Sequence, residues 1–324
     1  MSDLFNGIKT TLQQQEKKKI VFPEATDERV LRAASRLAQE GLVEPILIGN
    51  INEINQLVQE YTVDVSNCTL IDPSSYAEFD QVVDSFVERR NGKVSKEEAE
   101  TIVKDENYFG TMLVYLKKAD GLVSGAAHST SDTVRPALQI IKTKEGVQKT
   151  SGVFVMVRDD EKYIFADCAI NIAPTSEDLA EIAMESARTA KLFDVEPRVA
   201  MLSFSTKGSA KSEETERVIE AVKIAKNKDT SLLIDGEFQF DAAFVPAVAA
   251  KKAPDSEIKG DATVFVFPSL EAGNIGYKLT ERLGGFEAVG PILQGLNQPV
   301  NDLSRGCSEE DVYKLALITA AQSL

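Results

Sequence analysis

Short apolar runs rich in β-branched residues recur along the chain. Between them lie longer stretches in which apolar side chains return every three or four positions. The short runs predict strands at residues 19–22, 45–48, 69–71, 121–124, 152–157, 163–170, 198–203, 232–235 and 262–267. The longer stretches predict helices, among them 27–40, 77–90, 177–193 and 213–227. Strand alternating with helix makes an α/β protein with mostly parallel sheets, whose ligands bind beyond the strand C-termini.

Several helix starts are legible. Thr175-Ser176-Glu177-Asp178 has the form of a capping box ahead of Leu179, Ile182, Ala183, Ala187 and Ala190, which share a helix face. Ser212 is placed to cap the next helix, with Val218, Val222 and Ala225 inward. Ser308 and Asp311 form a Ser-x-x-Asp capping box, with Val312, Leu315, Ala316 and Thr319 on one face.

A chain of 324 residues suits two domains. The polar, weakly periodic segment 142–151 is one candidate junction, and 298–301 is a second. With 36 basic against 51 acidic side chains, the formal net charge is −15. That excludes a general nucleic-acid binder, which needs a basic face. If the substrates are anions, the overall field opposes them and the site must carry its own positive charge. Cys68, Cys168 and Cys307 form no CxxC pair, and the chain has one histidine, so a reduced cytoplasmic protein without a metal site is expected. Residues 1–19 lack the apolar core of a signal peptide, and no apolar run reaches the ~18 residues of a membrane span.

Five stretches carry candidate chemistry. Ser304-Arg305-Gly306-Cys307-Ser308-Glu309-Glu310-Asp311 brings a hydroxyl, a permanent cation and a carboxylate to a turn and a helix start. A helix N-terminus favours anions, and an arginine fork beside it can hold a phosphate. The same pattern also reads as plain helix capping, with Asp311 a capping residue only. In the second stretch the strand 121–124 runs into Gly125-Ala126-Ala127-His128-Ser129-Thr130, with Arg135 five residues on. Backbone N–H groups in such a loop can approach an anion. It also reads as an ordinary capped strand-to-helix connection. Ser205-Thr206-Lys207-Gly208 follows another strand and suits phosphate contacts, although neither GxxxxGK[ST] nor GxGxxG occurs anywhere. Asp167 and Asn171 interrupt an apolar strand; they point into a site or form a buried pair that fixes the next turn. Residues 268–278 set two glycines around Asn274, as a ligand loop or a helix start.

Taken together and in this order, these stretches resemble the phosphate acetyltransferase (phosphotransacetylase) family. Lys19-Ile20-Val21-Phe22-Pro23-Glu24-Ala25 and Asp235-Gly236-Glu237-Phe238-Gln239-Phe240-Asp241 resemble it too, so the likeness spans residues 20–322. The family has a basic Arg-Lys-x-Lys-Gly segment where this chain reads Glu88-Arg89-Arg90-Asn91-Gly92-Lys93; Arg89 is the better match and Arg90 stays open. The resemblance implies two three-layer α/β domains of the isocitrate/isopropylmalate-dehydrogenase-like type with a cleft between them. The N-terminal domain would be discontinuous, residues 1–142 plus 301–324, around a second domain at 143–300. It also implies a homodimer. The implied reaction is reversible acetyl transfer between acetyl phosphate and coenzyme A, with coenzyme A a substrate and no tightly bound cofactor.

The implied site residues are Ser304, Arg305 and Asp311 for catalysis. Arg135, Arg89, Ser129, Thr130, Ser205, Thr206, Lys207 and Asn171 would contact substrate. On this reading the thiolate attacks the acetyl carbon directly, Arg305 holds the departing phosphate, Ser304 orients the thiol or carbonyl, and Asp311 takes the thiol proton. An ordinary aspartate and an ordinary thiol differ by about 4.6 pKa units, or ~6 kcal/mol. The surroundings must close that gap, or the phosphate takes the proton. A phosphate butyryltransferase differs only in its acyl pocket. A non-catalytic acyl-CoA-sensing module is the alternative of another class.

Overall fold

The structure is a computed structural model and describes residues 4–324. In chain order the strands are β1 (Lys18–Phe22), β2 (Val43–Ile48), β3 (Thr69–Ile71), β4 (Gly121–Ser124), β5 (Ser151–Arg158), β6 (Glu161–Ala166), β7 (Val199–Leu202), β8 (Ile234–Phe238), β9 (Val264–Val266), β10 (Glu287–Gln294) and β11 (Val300–Asp302). They form two compact units. One gathers the chain up to Thr143 together with Leu296–Leu324, and the other is Lys144–Gly295.

The sheet of the first unit has the order β11-β4-β1-β2-β3, and every pair in it is parallel. β4 is buried along its whole length, as expected of a central parallel strand covered on both faces. The helix Glu309–Gln322 packs on β1 and β4 and on the helices Leu4–Gln13 and Glu28–Gln39. Ser308 caps it through the capping box with Asp311, and Val312, Leu315, Ala316 and Thr319 are all buried. The approach is close enough that a Cβ on Gly121 would lie 2.6 Å from Thr319 Cγ2, so only glycine fits there. Asn301 ties β11 to the same helix, its amide donating to Thr319 Oγ1 at 2.8 Å and Gln322 Oε1 at 2.7 Å.

The second unit holds a mixed sheet of order β10-β5-β6-β9-β7-β8. β5 is antiparallel to both β10 and β6, and the remaining pairs are parallel. Phe154, Phe165, Phe238 and Phe265 centre its core. Thr175 and Ser212 cap the helices Ser176–Leu192 and Glu213–Lys228, and the apolar faces read from the sequence are buried.

Three details depart from the sequence pattern. The strand expected at 163–170 stops at Ala166, because the Asp167 carboxylate takes the N–H groups of Ala169, Ile170 and Asn171 and turns the chain. β10 carries Gly290-Pro291, which reads as a break, yet it pairs with β5 on both sides of an irregularity between Val289 and Ile292. β11 is three residues long, two of them polar.

Candidate active site

The C-terminal edge of the first sheet is where its loops converge. β11 and β4 run side by side in register, so Asp302 stands beside Ser124 where both strands end. The loop after β4 curls around a buried carboxylate. Glu24, just past the end of β1, accepts the N–H groups of Gly125 (3.0 Å) and Ala126 (2.8 Å) on one oxygen. Its other oxygen accepts those of Ala127 and His128, both at 2.8 Å. His128 Nδ1 lies 2.8 Å from the same oxygen, so the single histidine braces this loop. A run of backbone N–H groups of this kind can cradle a phosphate. Here the protein's own carboxylate fills the cradle.

Two loops of the second unit also close on a carboxylate, one through a run of N–H groups and one through a hydroxyl and a single N–H. Asp167 accepts N–H groups from Gly152, Ala169, Ile170 and Asn171, and the Asn171 amide donates to Asp167 Oδ2 (2.6 Å) and to the Thr150 carbonyl. Glu237 accepts from Ser205 Oγ (2.7 Å) and the Gly208 N–H (2.8 Å). Ser205 and Thr206 are buried, and Thr206 Oγ1 accepts the Gln239 N–H. Lys207 Nζ donates to Asp235 Oδ1 at 2.6 Å and to the Gly236 carbonyl. Ser205, Thr206, Lys207 and Asn171 are therefore engaged within their own unit. Ser269 caps the helix Leu270–Arg282, so the 268–278 stretch is a helix start.

In the first unit, the turn 304–308 lies beyond β11. Ser304 and Arg305 are exposed, and the Cys307 N–H donates to the Ser304 carbonyl. Among the described residues no side chain pairs with the Arg305 guanidinium. Asp311 Oδ2 accepts from the Ser308 N–H and Oγ–H, both at 2.8 Å, while its other oxygen takes no hydrogen bond from the described residues. Capping therefore occupies half of this carboxylate. Burial pushes the Cys307 thiol up to about 11, against the pull of Arg29. Burial likewise raises Cys68 to about 11 and Cys168 well above its ordinary value, so none of the three is a ready thiolate.

The residue that binds these parts together is one the sequence pattern did not single out. Arg29, in the first turn of helix Glu28–Gln39, grips Asp27 with Nε and Nη2. Its Nη1 donates to the carbonyls of Arg305 (2.9 Å) and Cys307 (2.8 Å), and its Nη2 donates to that of Ala126 (2.8 Å). Glu24 and Arg29 were findable in principle: both follow closely on β1, and polar side chains past the end of a parallel strand sit where ligands bind.

The helix Thr130–Pro136 continues from the 125–128 loop. Ser129 caps it, bonding Asp132 through both its N–H and its hydroxyl. Thr130 is exposed at the first turn, and Arg135 is exposed without a partner among the described residues. Arg89 is committed elsewhere. It donates to the carbonyls of Ile140 (2.6 Å) and Ile141 (3.2 Å) and lies over the Tyr115 ring. Its neighbour Arg90 has a buried Nε with no hydrogen-bond partner among the described residues. Arg135 and Arg90 both act electrostatically on the Tyr108 hydroxyl, pulling its pKa down against the stronger upward push of burial.

Below the Ser129–Thr130 turn lies Asp302, 3% exposed. Its Oδ1, together with Ser124 Oγ and Thr133 Oγ1, is buried without a hydrogen-bond partner among the described residues. Burial pushes the Asp302 carboxyl up to about 6, opposed by the nearby Thr130 and Thr133 hydroxyls and assisted by Glu24. Gly125 has φ +109°, and a Cβ there would come within 2.5 Å of both Asp302 Oδ1 and the Leu303 carbonyl.

Among the described residues no helix is long and apolar enough to cross a membrane, and no group of His, Cys, Asp and Glu is arranged to hold a metal. Comparison with known proteins places this geometry in context. Residues 4–320 match the family described as phosphate acetyl/butaryl transferase. The chain is 68% identical to the phosphate acetyltransferase of Bacillus subtilis (strain 168), over the full length of both. Among solved structures, a phosphotransacetylase from Streptococcus pyogenes superimposes with a TM-score of 0.97 at 57% identity, covering 100% of this chain and 99% of that one. The EutD phosphotransacetylase from Staphylococcus aureus gives 0.95 at 60% identity, covering 99% and 98%. Matched from end to end in sequence and fold, the chain belongs to the phosphate acetyl/butaryl transferase family.

Proposed function

We propose that this protein is a phosphate acetyltransferase that moves an acetyl group reversibly between acetyl phosphate and coenzyme A, with Ser304, Arg305 and Asp311 at the reacting atoms. The observation that carries the site assignment is the exposed Arg305 guanidinium, unpaired among the described residues, on a turn whose backbone is tied down beside a capped helix N-terminus. A protein of net charge −15 repels anions in general, so a local cation of this kind is what an acyl phosphate requires.

In the forward step the coenzyme A sulfur attacks the acetyl carbonyl carbon. A C–S bond forms, the bond from the acetyl carbon to the bridging oxygen breaks, and phosphate departs with the bonding electron pair. Arg305 neutralises charge on the leaving phosphate, an interaction that grows as the bond breaks and so lowers the barrier. The Ser304 hydroxyl donates to the carbonyl oxygen or orients the thiol. The free oxygen of Asp311 receives the thiol proton, or the departing phosphate carries it away. The raised thiol of Cys307 supports direct transfer over an acyl-cysteine route, because the thiol and not the thiolate predominates near neutrality. Arg135 and Arg90 supply positive charge for the phosphates of coenzyme A. Coenzyme A and acetyl phosphate are substrates in this reading, and a cytoplasmic homodimer is part of the proposal.

The test is thioester formation, followed by ultraviolet absorbance, from coenzyme A and either acetyl or butyryl phosphate. Acetyl-dependent turnover that falls about 100-fold or more in Arg305→Gln supports the assignment. A preference for butyryl phosphate moves the chain to the other activity of its family. Tight acyl-CoA binding without turnover would make it a sensing module and return the three residues to structural roles.

A further inference from the structure

We propose that Arg29 is a positioning residue for the transfer reaction: it locks the 304–308 turn to the 125–128 loop and so aims Arg305. This rests on the transferase reading of the site. A guanidinium has five N–H donors, and all five of Arg29's are placed. Nε and one Nη2 hydrogen clamp the two oxygens of Asp27 at 3.0 and 2.7 Å. The other Nη2 hydrogen holds the Ala126 carbonyl, and the two Nη1 hydrogens hold the carbonyls of Arg305 and Cys307. Asp27 is itself fixed, as the N-cap that accepts the Arg29 N–H at 2.9 Å.

Each carbonyl belongs to a segment the site depends on. Ala126 lies in the loop wrapped around Glu24, which leads directly into Ser129 and Thr130. The Arg305 carbonyl is the backbone of the cation that meets the phosphate. Holding it leaves the Arg305 side chain free while fixing where its Cα–Cβ bond points. A cation whose backbone is set in advance needs no reorganisation when charge develops. A small misplacement of such a group costs roughly two orders of magnitude in rate. Lysine cannot replace this arrangement. Its three donors sit on one atom and cannot reach two carboxylate oxygens and three carbonyls at once.

The experiment is a double-mutant cycle on the full chain, with Arg29→Lys, Arg305→Gln and the pair. Turnover, KM for each substrate and hydrogen exchange are measured throughout. Arg29→Lys is expected to lower kcat roughly 10- to 100-fold. In the Arg305→Gln background the same change is expected to cost less than about threefold, because the group it aims is gone. Exchange at the amides of 125–128 and 303–307 is expected to speed up in both segments together. Arg32→Lys, one turn further along the helix and paired with Glu28, serves as the control that leaves both loops protected. An equal loss of kcat in both backgrounds overturns the proposal. So does a normal kcat in Arg29→Lys accompanied only by a lower unfolding temperature, which marks a purely structural role. If Arg305→Gln turns over normally, the site assignment fails instead. The exchange data then still decide whether Arg29 joins the two loops, and unchanged protection refutes that too.

Discussion

Replacing Asp302 with asparagine removes one buried charge and keeps the side chain's shape, so its effect should depend on pH in a calculable way. The carboxyl is 3% exposed, and burial raises its pKa from the ordinary 3.8 to about 6. A rise of that size is worth ~3 kcal/mol between the two protonation states. The folded pKa lies above the unfolded one, so the folded state binds the proton more tightly. The penalty is therefore absent below about pH 3.8 and complete above about pH 6. Asp302 withdraws this stability from wild type as the pH rises through the window, and Asp302→Asn lacks that contribution. Between pH 5 and pH 8 the variant's advantage over wild type should grow by ~1.4 kcal/mol. For a unit of this size that is roughly 3–6 °C in unfolding midpoint. The assay is scanning calorimetry of both proteins at the two pH values and one ionic strength. Any constant cost of fitting an amide beside Ser124 and Thr133 cancels in the comparison. Midpoint differences that match at pH 5 and pH 8, or that narrow at pH 8, would show that Asp302 is not held as a buried acid.

Asp311→Asn should lower kcat by about 100-fold or more and flatten the acid limb of the pH–rate profile, while capping is largely kept; full activity with an unchanged profile would leave Asp311 a capping residue. Arg90→Ala should raise KM for coenzyme A about tenfold at an almost unchanged unfolding temperature, whereas Arg89→Ala should cost ~1–2 kcal/mol of stability by releasing the Ile140 and Ile141 carbonyls. The opposite pattern in binding and calorimetry would make Arg89 the substrate contact. Gly125→Ala should destabilise by at least ~2 kcal/mol, since its φ of +109° and the 2.5 Å approach to Asp302 and Leu303 leave no room for a methyl group. A folded variant of wild-type stability in urea titration would contradict that reading.

The order of strands and helices was legible because burial writes itself locally. A parallel strand covered on both faces must be a short apolar run, as Gly121–Ser124 is, and a helix against a sheet must be apolar every third or fourth residue, as 312–319 is. Capping is equally local, so Thr175, Ser212 and Ser308 marked their helix starts correctly. Ser304, Arg305 and Asp311 could be grouped for the same reason: one turn and one helix start hold them together. β10 and β11 escaped because their pairing comes from neighbours elsewhere in the chain, which override a Gly-Pro step in one and two polar residues in the other.

What occupies each loop was decided only in three dimensions. The loops at 125–130 and 205–208 suit anions by composition and enclose Glu24 and Glu237 instead, while Asp167 bonds Asn171 and holds the next turn. Glu24 stands 101 residues from Gly125, and Arg29 stands 276 residues from Arg305. No period or spacing links such pairs. They meet because β1, β4 and β11 lie side by side in one parallel sheet and deliver their C-terminal ends to the same edge. Local residue order set which chemistry the chain could carry and the secondary structure that bears it. Packing in three dimensions settled which polar groups neutralise one another and which cations, Arg305, Arg135 and Arg90 among them, stay unpaired among the described residues, because a charge removed from water must find its partner wherever the fold brings one.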